Sequence, residues 1–218
     1  MSTDLVIWTY DWVPGGPGSP RGFVRDLRLR WACEEAQLAY KVRSVPFDER
    51  GPTHFARQPF GQVPFLEDGE VRRFESGAAL LHLGNKSEAL MPRDHLGHAE
   101  TLQWTIAALN SIEIVTLPWW FVGLSRPENN PLEGWMTSRL NHLDKVLARR
   151  DWLAAGRFTV ADLLMADVLR VPKVREFGHF PALQSYVDRI CDRPAFEKAR
   201  EGQMAHFAAG DVGRQALR

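Results

Sequence analysis

Every strand signal in this 218-residue sequence falls before residue 75, and every regular segment after it repeats its apolar residues at helical intervals. That division constrains the fold more than any single motif. Leu5 to Tyr10 (LVIWTY) is rich in β-formers and reads as a strand, as does Val42 to Val45. Val63 to Leu66 and Val71 to Phe74 form a hairpin that turns at Asp68-Gly69. Val13 to Pro20 must be a loop, since its prolines and glycines forbid regular structure. A helix is expected from Arg21 to Ala39, with Val24, Leu27, Trp31 and Leu38 on one stripe, and another from Ser76 to Leu83. Asp48 to Gln58 has room for a loop and one short helix. The order is β-α-β-α-β-β-α, complete by residue 84.

Beyond a linker at Gly84 to Arg93, the pattern is helical only. His95 to Ile114 places Leu102, Ile106 and Leu109 on one face, and Leu132 to Arg150 does the same with Met136, Leu140, Leu143 and Leu147. Val160 to Val171 stops at Pro172, which disfavours helical geometry in the residue before it, and Pro181 to Arg193 is a further helix. Two domains are expected: α/β over residues 1–84 and all-α over 85–218.

Charge excludes some functions. The 27 basic and 27 acidic residues cancel, so no basic excess draws in nucleic acid or an anionic membrane surface. The longest apolar run, Ile112 to Leu124, contains Glu113 and Pro118 and is shorter than the ~20 residues a bilayer span needs. The opening Met1-Ser2-Thr3-Asp4 lacks the basic start of a secretory signal, and two cysteines make no disulfide framework. A cytoplasmic enzyme without membrane or nucleic-acid partners is the expectation.

The first half has a thioredoxin-like order, and Gln62-Val63-Pro64-Phe65-Leu66-Glu67-Asp68-Gly69 followed by Glu75-Ser76 resembles the glutathione-binding segment of the soluble glutathione S-transferases. Trp152 to Asp162 resembles the buried capping segment of that family's helical domain, with Thr159 as cap and Asp162 able to reach back to its amide. Phe180-Pro181-Ala182-Leu183 and Arg193-Pro194-Ala195-Phe196 resemble its final helices, so the likeness runs from Leu5 to Ala199. The resemblance implies an N-terminal thioredoxin-like domain with a four-stranded mixed sheet and a C-terminal helical bundle. It also implies glutathione as co-substrate without a metal, a small hydrophobic electrophile, a homodimer and a role in detoxification, in a bacterial-like member.

The resemblance also assigns roles. Val63-Pro64 would be a cis bond, with the Val63 backbone pairing to the cysteinyl unit of glutathione like an added strand. Ser76, at a helix start, would bind the γ-glutamyl carboxylate, Glu75 would face its ammonium, and Gln62 would donate to a carboxylate. A thiol titrating near 8.5 is only about 3% ionised at pH 7. Lowering its pKa by about two units takes roughly 2.7 kcal/mol of preferential thiolate stabilisation. One charge-assisted hydrogen bond supplies about 1.5–3 kcal/mol, so a single hydroxyl near the first helix suffices. Three residues are candidates: Ser19 before the helix, Tyr10 at the end of the first strand, and Arg21, a cation at the position where many relatives carry serine. Trp12, Trp119 and Trp120 are candidates for the apolar acceptor pocket. His95 and His98 have a ligand-like spacing, but no further ligand completes a site, and they read as a solvated face. Cys33 and Cys191 read as packing residues. No cysteine precedes Cys33, which excludes exchange through a cysteine at the helix start. A non-catalytic glutathione-binding or assembly module on the same fold stays open, as does a glutathione-dependent peroxidase, isomerase or dehalogenase.

Overall fold

A computed structural model of the chain describes residues 4–126 and 128–216. They divide into two compact units, one running up to Lys86 and resumed from Pro194 onward, the other Ser87–Arg193.

In the first unit, β1 (Leu5–Tyr10), β2 (Lys41–Val45), β3 (Phe65–Asp68) and β4 (Val71–Phe74) form one mixed sheet in the order β2-β1-β3-β4. β1 is parallel to β2 and antiparallel to β3, and β3 is antiparallel to β4. Alternate residues of a strand face opposite sides. Val6 and Trp8 join Val45 and Phe65 in a cluster on one side, while Ile7 and Thr9 are wholly buried on the other. Burial on both faces explains why β1 reads as an unbroken apolar run. α1 (Asp26–Ala36) and α3 (Ser76–Asn85) pack on each other and on the sheet, and the short α2 (Pro52–Phe55) lies in the β2–β3 connection.

Four features depart from the sequence reading. α1 begins at Asp26 rather than Arg21, because the preceding residues turn more tightly, with Phe23 N–H donating to the Pro20 carbonyl at 2.8 Å and Leu27 N–H to that of Val24 at 3.0 Å. The helix is also buried from Asp26 through Cys33, charged residues included, rather than along one stripe. β3 begins at Phe65 rather than Val63, and the Val63-Pro64 bond before it is cis. The largest departure is α10 (Pro194–Ala216), which packs along α1 in the first unit, whereas a division at residues 84/85 assigned it to the helical half. Phe196, Ala199, Gln203 and Phe207 recur at helical intervals and are buried, and the Phe196 ring lies 4.7 Å from that of Trp31.

In the second unit Asp94 caps α4 (His95–Ala107) by accepting from Gly97 N–H at 2.8 Å. A π-helical segment (Ala108–Glu113) joins it to α5 (Ile114–Ser125). The helix therefore does not end near Ile114. Its 31 residues are long and apolar enough, by length and composition, to cross a membrane, which corrects the estimate made from the apolar run alone. Thr101, Thr105, Ala108, Ile112 and Val115 are nevertheless buried in the unit, where this helix packs on α7 (Val160–Leu169). α6 (Glu133–Leu147) buries the expected stripe of Met136, Leu140, Leu143 and Leu147, and α8 (Pro172–Arg175) and α9 (Pro181–Cys191) complete the unit. The Asp162 carboxylate sits at its centre. It accepts from the backbone of Thr159 at 2.9 Å and Leu153 at 2.8 Å, and from the Tyr186 hydroxyl at 2.9 Å. Asp162 thus closes the capping box read from the sequence and also ties α9 to α7.

Candidate functional site: an open cradle beside a closed loop

The sheet register brings residues expected to bind glutathione to one end. Phe65 pairs with Phe74 and with Trp8, so Val63-Pro64 and Glu75 lie just beyond the last pairs of β3, at the end of the sheet where Tyr10 closes β1 opposite Val45 of β2. Asp68 anchors α3 to β3 through Lys86 at 2.5 Å and His82 at 2.7 Å, and these contacts hold its carboxyl below the usual range against the effect of burial. The approach to Val63 is fixed from inside. Buried Gln58 accepts from the backbone of Phe60 at 2.6 Å and of Gln62 at 3.2 Å, and buried His54 meets the Gln62 carbonyl at 2.8 Å.

What faces outward is unsatisfied. Among the described residues neither the N–H nor the carbonyl of Val63 meets a partner. Gln62 is exposed, its side-chain oxygen accepts from Gln58 at 3.5 Å, and its amide N–H groups are uncommitted among the described residues. Glu75 is exposed with φ 66°, a left-handed conformation that non-glycine residues seldom adopt. It delivers Ser76 to the first turn of α3, where backbone N–H groups lack helical partners. Ser76 is buried, and its hydroxyl accepts from the Arg28 guanidinium at 3.0 Å.

The loop between β1 and α1 is the opposite case. Ser19 Oγ donates to the Pro14 carbonyl at 2.7 Å and accepts from Arg21 N–H at 3.1 Å. The Arg21 guanidinium donates twice to the Val13 carbonyl, at 2.9 and 3.2 Å, and once to each oxygen of Asp211 on α10, at 2.6 and 2.7 Å. Asp211 also accepts from Trp12 Nε1 at 2.7 Å, and the donations from Arg21 and Trp12 lower its pKa to about 2. Arg214 lies 4.1 Å over the Trp12 ring and pairs with Asp48. Gly210 permits this approach, because a Cβ there would fall 2.4 Å from the Asp11 carbonyl oxygen. From below, Gln203 accepts from Gly22 N–H at 3.0 Å and donates to buried Asp26 at 2.6 Å, and Asp26 pairs with Arg30 at 2.8 Å.

Tyr10 differs from the other two candidates. Its hydroxyl accepts from Arg50 at 2.9 Å, the same guanidinium lies 5.4 Å over its ring, and among the described residues nothing accepts its proton. Cys33 is wholly buried, and burial pushes its thiol far up; the Cys191 thiol rises to about 12 for the same reason. Trp119 packs edge-on against Phe177 at 5.0 Å and Trp120 against Phe121 at 4.7 Å, within the second unit. Among the described residues no group of three or more His, Cys, Asp and Glu could hold a metal ion.

Comparison with known proteins places this geometry. The family models described as "Glutathione S-transferase, N-terminal domain" and "Glutathione S-transferase, C-terminal domain" match residues 19–85 and 127–194. A relative from Oryza sativa, "Probable glutathione S-transferase GSTF2", is 32% identical over 184 residues, covering 76% of this chain and 86% of its own. "Disulfide-bond oxidoreductase YfcG" of Escherichia coli is 27% identical over 183 residues, covering 76% and 85%. A glutathione transferase from Pseudomonas putida, solved with one glutathione disulfide per subunit, has the same fold at a TM-score of 0.74 and 22% identity, covering 91% of each chain. The chain belongs to the soluble glutathione S-transferase family and is a glutathione S-transferase-like transferase.

Sequence reasoning missed Arg28 behind Ser76 and the contribution of α10. Signals existed for both. Arg28 and Arg30 alternate with Leu27, Leu29 and Trp31 in the part of α1 that is buried, Asp26 through Cys33, and Gln203 stands in the buried stripe of α10.

Proposed function

We propose that the chain binds glutathione in the cradle and adds its thiolate to a small hydrophobic electrophile. The reading rests chiefly on the unpaired Val63 backbone lying at the same sheet end as Ser76 and Glu75. In this reading Val63 pairs with the cysteinyl unit, the Ser76 hydroxyl and amide take the γ-glutamyl carboxylate, Glu75 takes its ammonium, and Gln62 donates to a carboxylate. Tyr10 serves as the thiol's partner, donating its hydroxyl to the thiolate, because its proton is uncommitted among the described residues while its oxygen already accepts from Arg50. The thiol proton leaves to solvent, the sulfur forms a bond to carbon, and a leaving group such as chloride departs with its electron pair. Trp119 and Trp120 offer apolar surface for the electrophile. Ser19 and Arg21 act as loop ties rather than as thiol partners, and Trp12 belongs to the same tie.

Two copies pair through the stripe of Leu102, Ile106, Ile114, Leu117, Phe121 and Leu124, which are exposed along one helix. A cytoplasmic role in detoxification fits these properties. Light scattering at micromolar concentration tests the pairing, and a monomer would refute it. Steady-state assay with a chlorinated nitroarene, run beside glutathione titration, tests the chemistry. Turnover that depends on glutathione and falls in Tyr10→Phe supports it. Binding without turnover favours a non-catalytic module, a reading that the committed hydroxyl of Ser19 and the committed cation of Arg21 also support.

A further inference from the structure

We infer that Arg50 is a positioning residue that fixes the direction of the Tyr10 hydroxyl proton and ties that hydroxyl to the cradle. The inference rests on the reading of Tyr10 as the thiol's partner.

A phenolic hydroxyl both donates and accepts, whereas a guanidinium only donates. Arg50 Nη2 lies 2.9 Å from Tyr10 Oη, so the tyrosine oxygen is the acceptor in that bond and its proton is turned away from the guanidinium. Arg50 follows Asp48 and Glu49 in the chain, yet among the described residues its guanidinium meets neither; Asp48 pairs with Arg214 instead. A cation donating to the phenol oxygen polarises the O–H bond, and hydrogen bonds in series strengthen one another. The ring is fixed as well. The guanidinium lies 5.4 Å over it, and Phe47 meets it edge-on at 5.3 Å. Phe47 N–H donates to Asp11 Oδ1 at 2.9 Å, which holds the chain after β2 against the end of β1. The stem of Arg50 faces the cradle. Gly61 has φ 63°, and a Cβ there would fall 3.1 Å from Arg50 Cδ and 2.8 Å from the Phe55 ring. Gly61 immediately precedes Gln62 and Val63. One side chain therefore lies against the segment that would hold the peptide backbone and bonds the hydroxyl that would meet its sulfur.

The test reads the thiolate of bound glutathione directly, by ultraviolet difference absorbance against pH, in the full chain. Arg50→Met keeps an apolar stem against Gly61 and removes the donor. It should raise the midpoint of thiolate formation by about half to one pH unit and lower kcat/KM toward a chlorinated nitroarene about three- to tenfold. Glutathione affinity, measured by calorimetry well below that midpoint where the bound thiol is protonated, should stay within about twofold. Arg50→Lys, which restores a single charged donor, should recover part of both losses, an outcome that packing alone would not give. In the Tyr10→Phe background Arg50→Met should move the midpoint no further, since Arg50 acts through the hydroxyl. A midpoint that moves equally in that background would place the cation on the sulfur itself and overturn the inference. So would weakened glutathione binding at low pH, which would make Arg50 a contact for the peptide. If Tyr10→Phe leaves the midpoint where it was, the reading of Tyr10 fails and the inference with it. If Tyr10→Phe raises the midpoint and Arg50→Met does not, only the inference fails.

Discussion

The cradle at residues 62–76 and the loop at residues 11–25 flank the same end of one sheet, yet they treat their polar groups in opposite ways. The cradle is braced from within by Gln58, His54 and Arg28, and it leaves Val63, Gln62 and Glu75 open to the outside. The loop spends its donors on itself and on α10: Ser19 on Pro14, Arg21 on Val13 and Asp211, Trp12 on Asp211. A group prepared for a ligand keeps its hydrogen bonds unmade, at a cost that water offsets while the site is exposed. A group prepared for architecture has already made them. In the proposed function the contrast separates holding a peptide from activating its sulfur, and of the three candidates Tyr10 alone has a hydroxyl proton that no described residue accepts.

The strongest way to break the contrast is from beneath the loop. Asp26→Ala strands buried Arg30 and removes an acceptor from Gln203, and losing one partner of a buried pair costs about 3–5 kcal/mol. Urea unfolding should show a loss of that size, and a change below 1 kcal/mol would mean that the loop has another floor. Tyr10→Phe sharpens it next. kcat/KM toward a chlorinated nitroarene should fall about 10²-fold, the scale of one lost donor to a developing anion, with glutathione affinity unchanged within twofold. If Ser19→Ala gives that result instead, the loop is not closed in the sense described. Glu75→Gln should weaken glutathione by about tenfold in calorimetry, without altering the unfolding midpoint. The smallest effect is at Asp211. Its folded pKa of about 2 lies below the ordinary value, so its stabilising contribution is present above about pH 4 and lost as pH falls through about 2. Asp211→Asn should therefore have a lower unfolding midpoint than wild type at pH 7 and converge with it near pH 2, with glutathione affinity unaffected throughout.

The strands, the prolyl hairpin and the capping box of α7 were legible because each depends on local chemistry. β-formers bounded by turn residues, a proline before a hairpin whose Gly69 takes φ 61°, and a threonine three residues before an aspartate are all contiguous signals. The closed loop was not legible, because its partners come from residues about 190 positions away on α10. Arg21 looked like a free cation in the place of a serine, and only the fold reveals the carboxylate that claims it. Likewise Pro118 and Glu113 argued for a break in a segment that remains helical, since a π-helical turn precedes it and the packed face is carried by other residues.

The return of α10 to the first unit bears on how the chain is made. The second unit is one uninterrupted stretch, whereas the first is split, with α10 encoded after the whole of the second. Emerging from the ribosome at about 5–20 residues per second, the sheet waits for α10 until all of Ser87–Arg193 has been made, so the unit begun first is completed only after the one begun later. A stop codon just before Pro194 would therefore damage the unit that was started first.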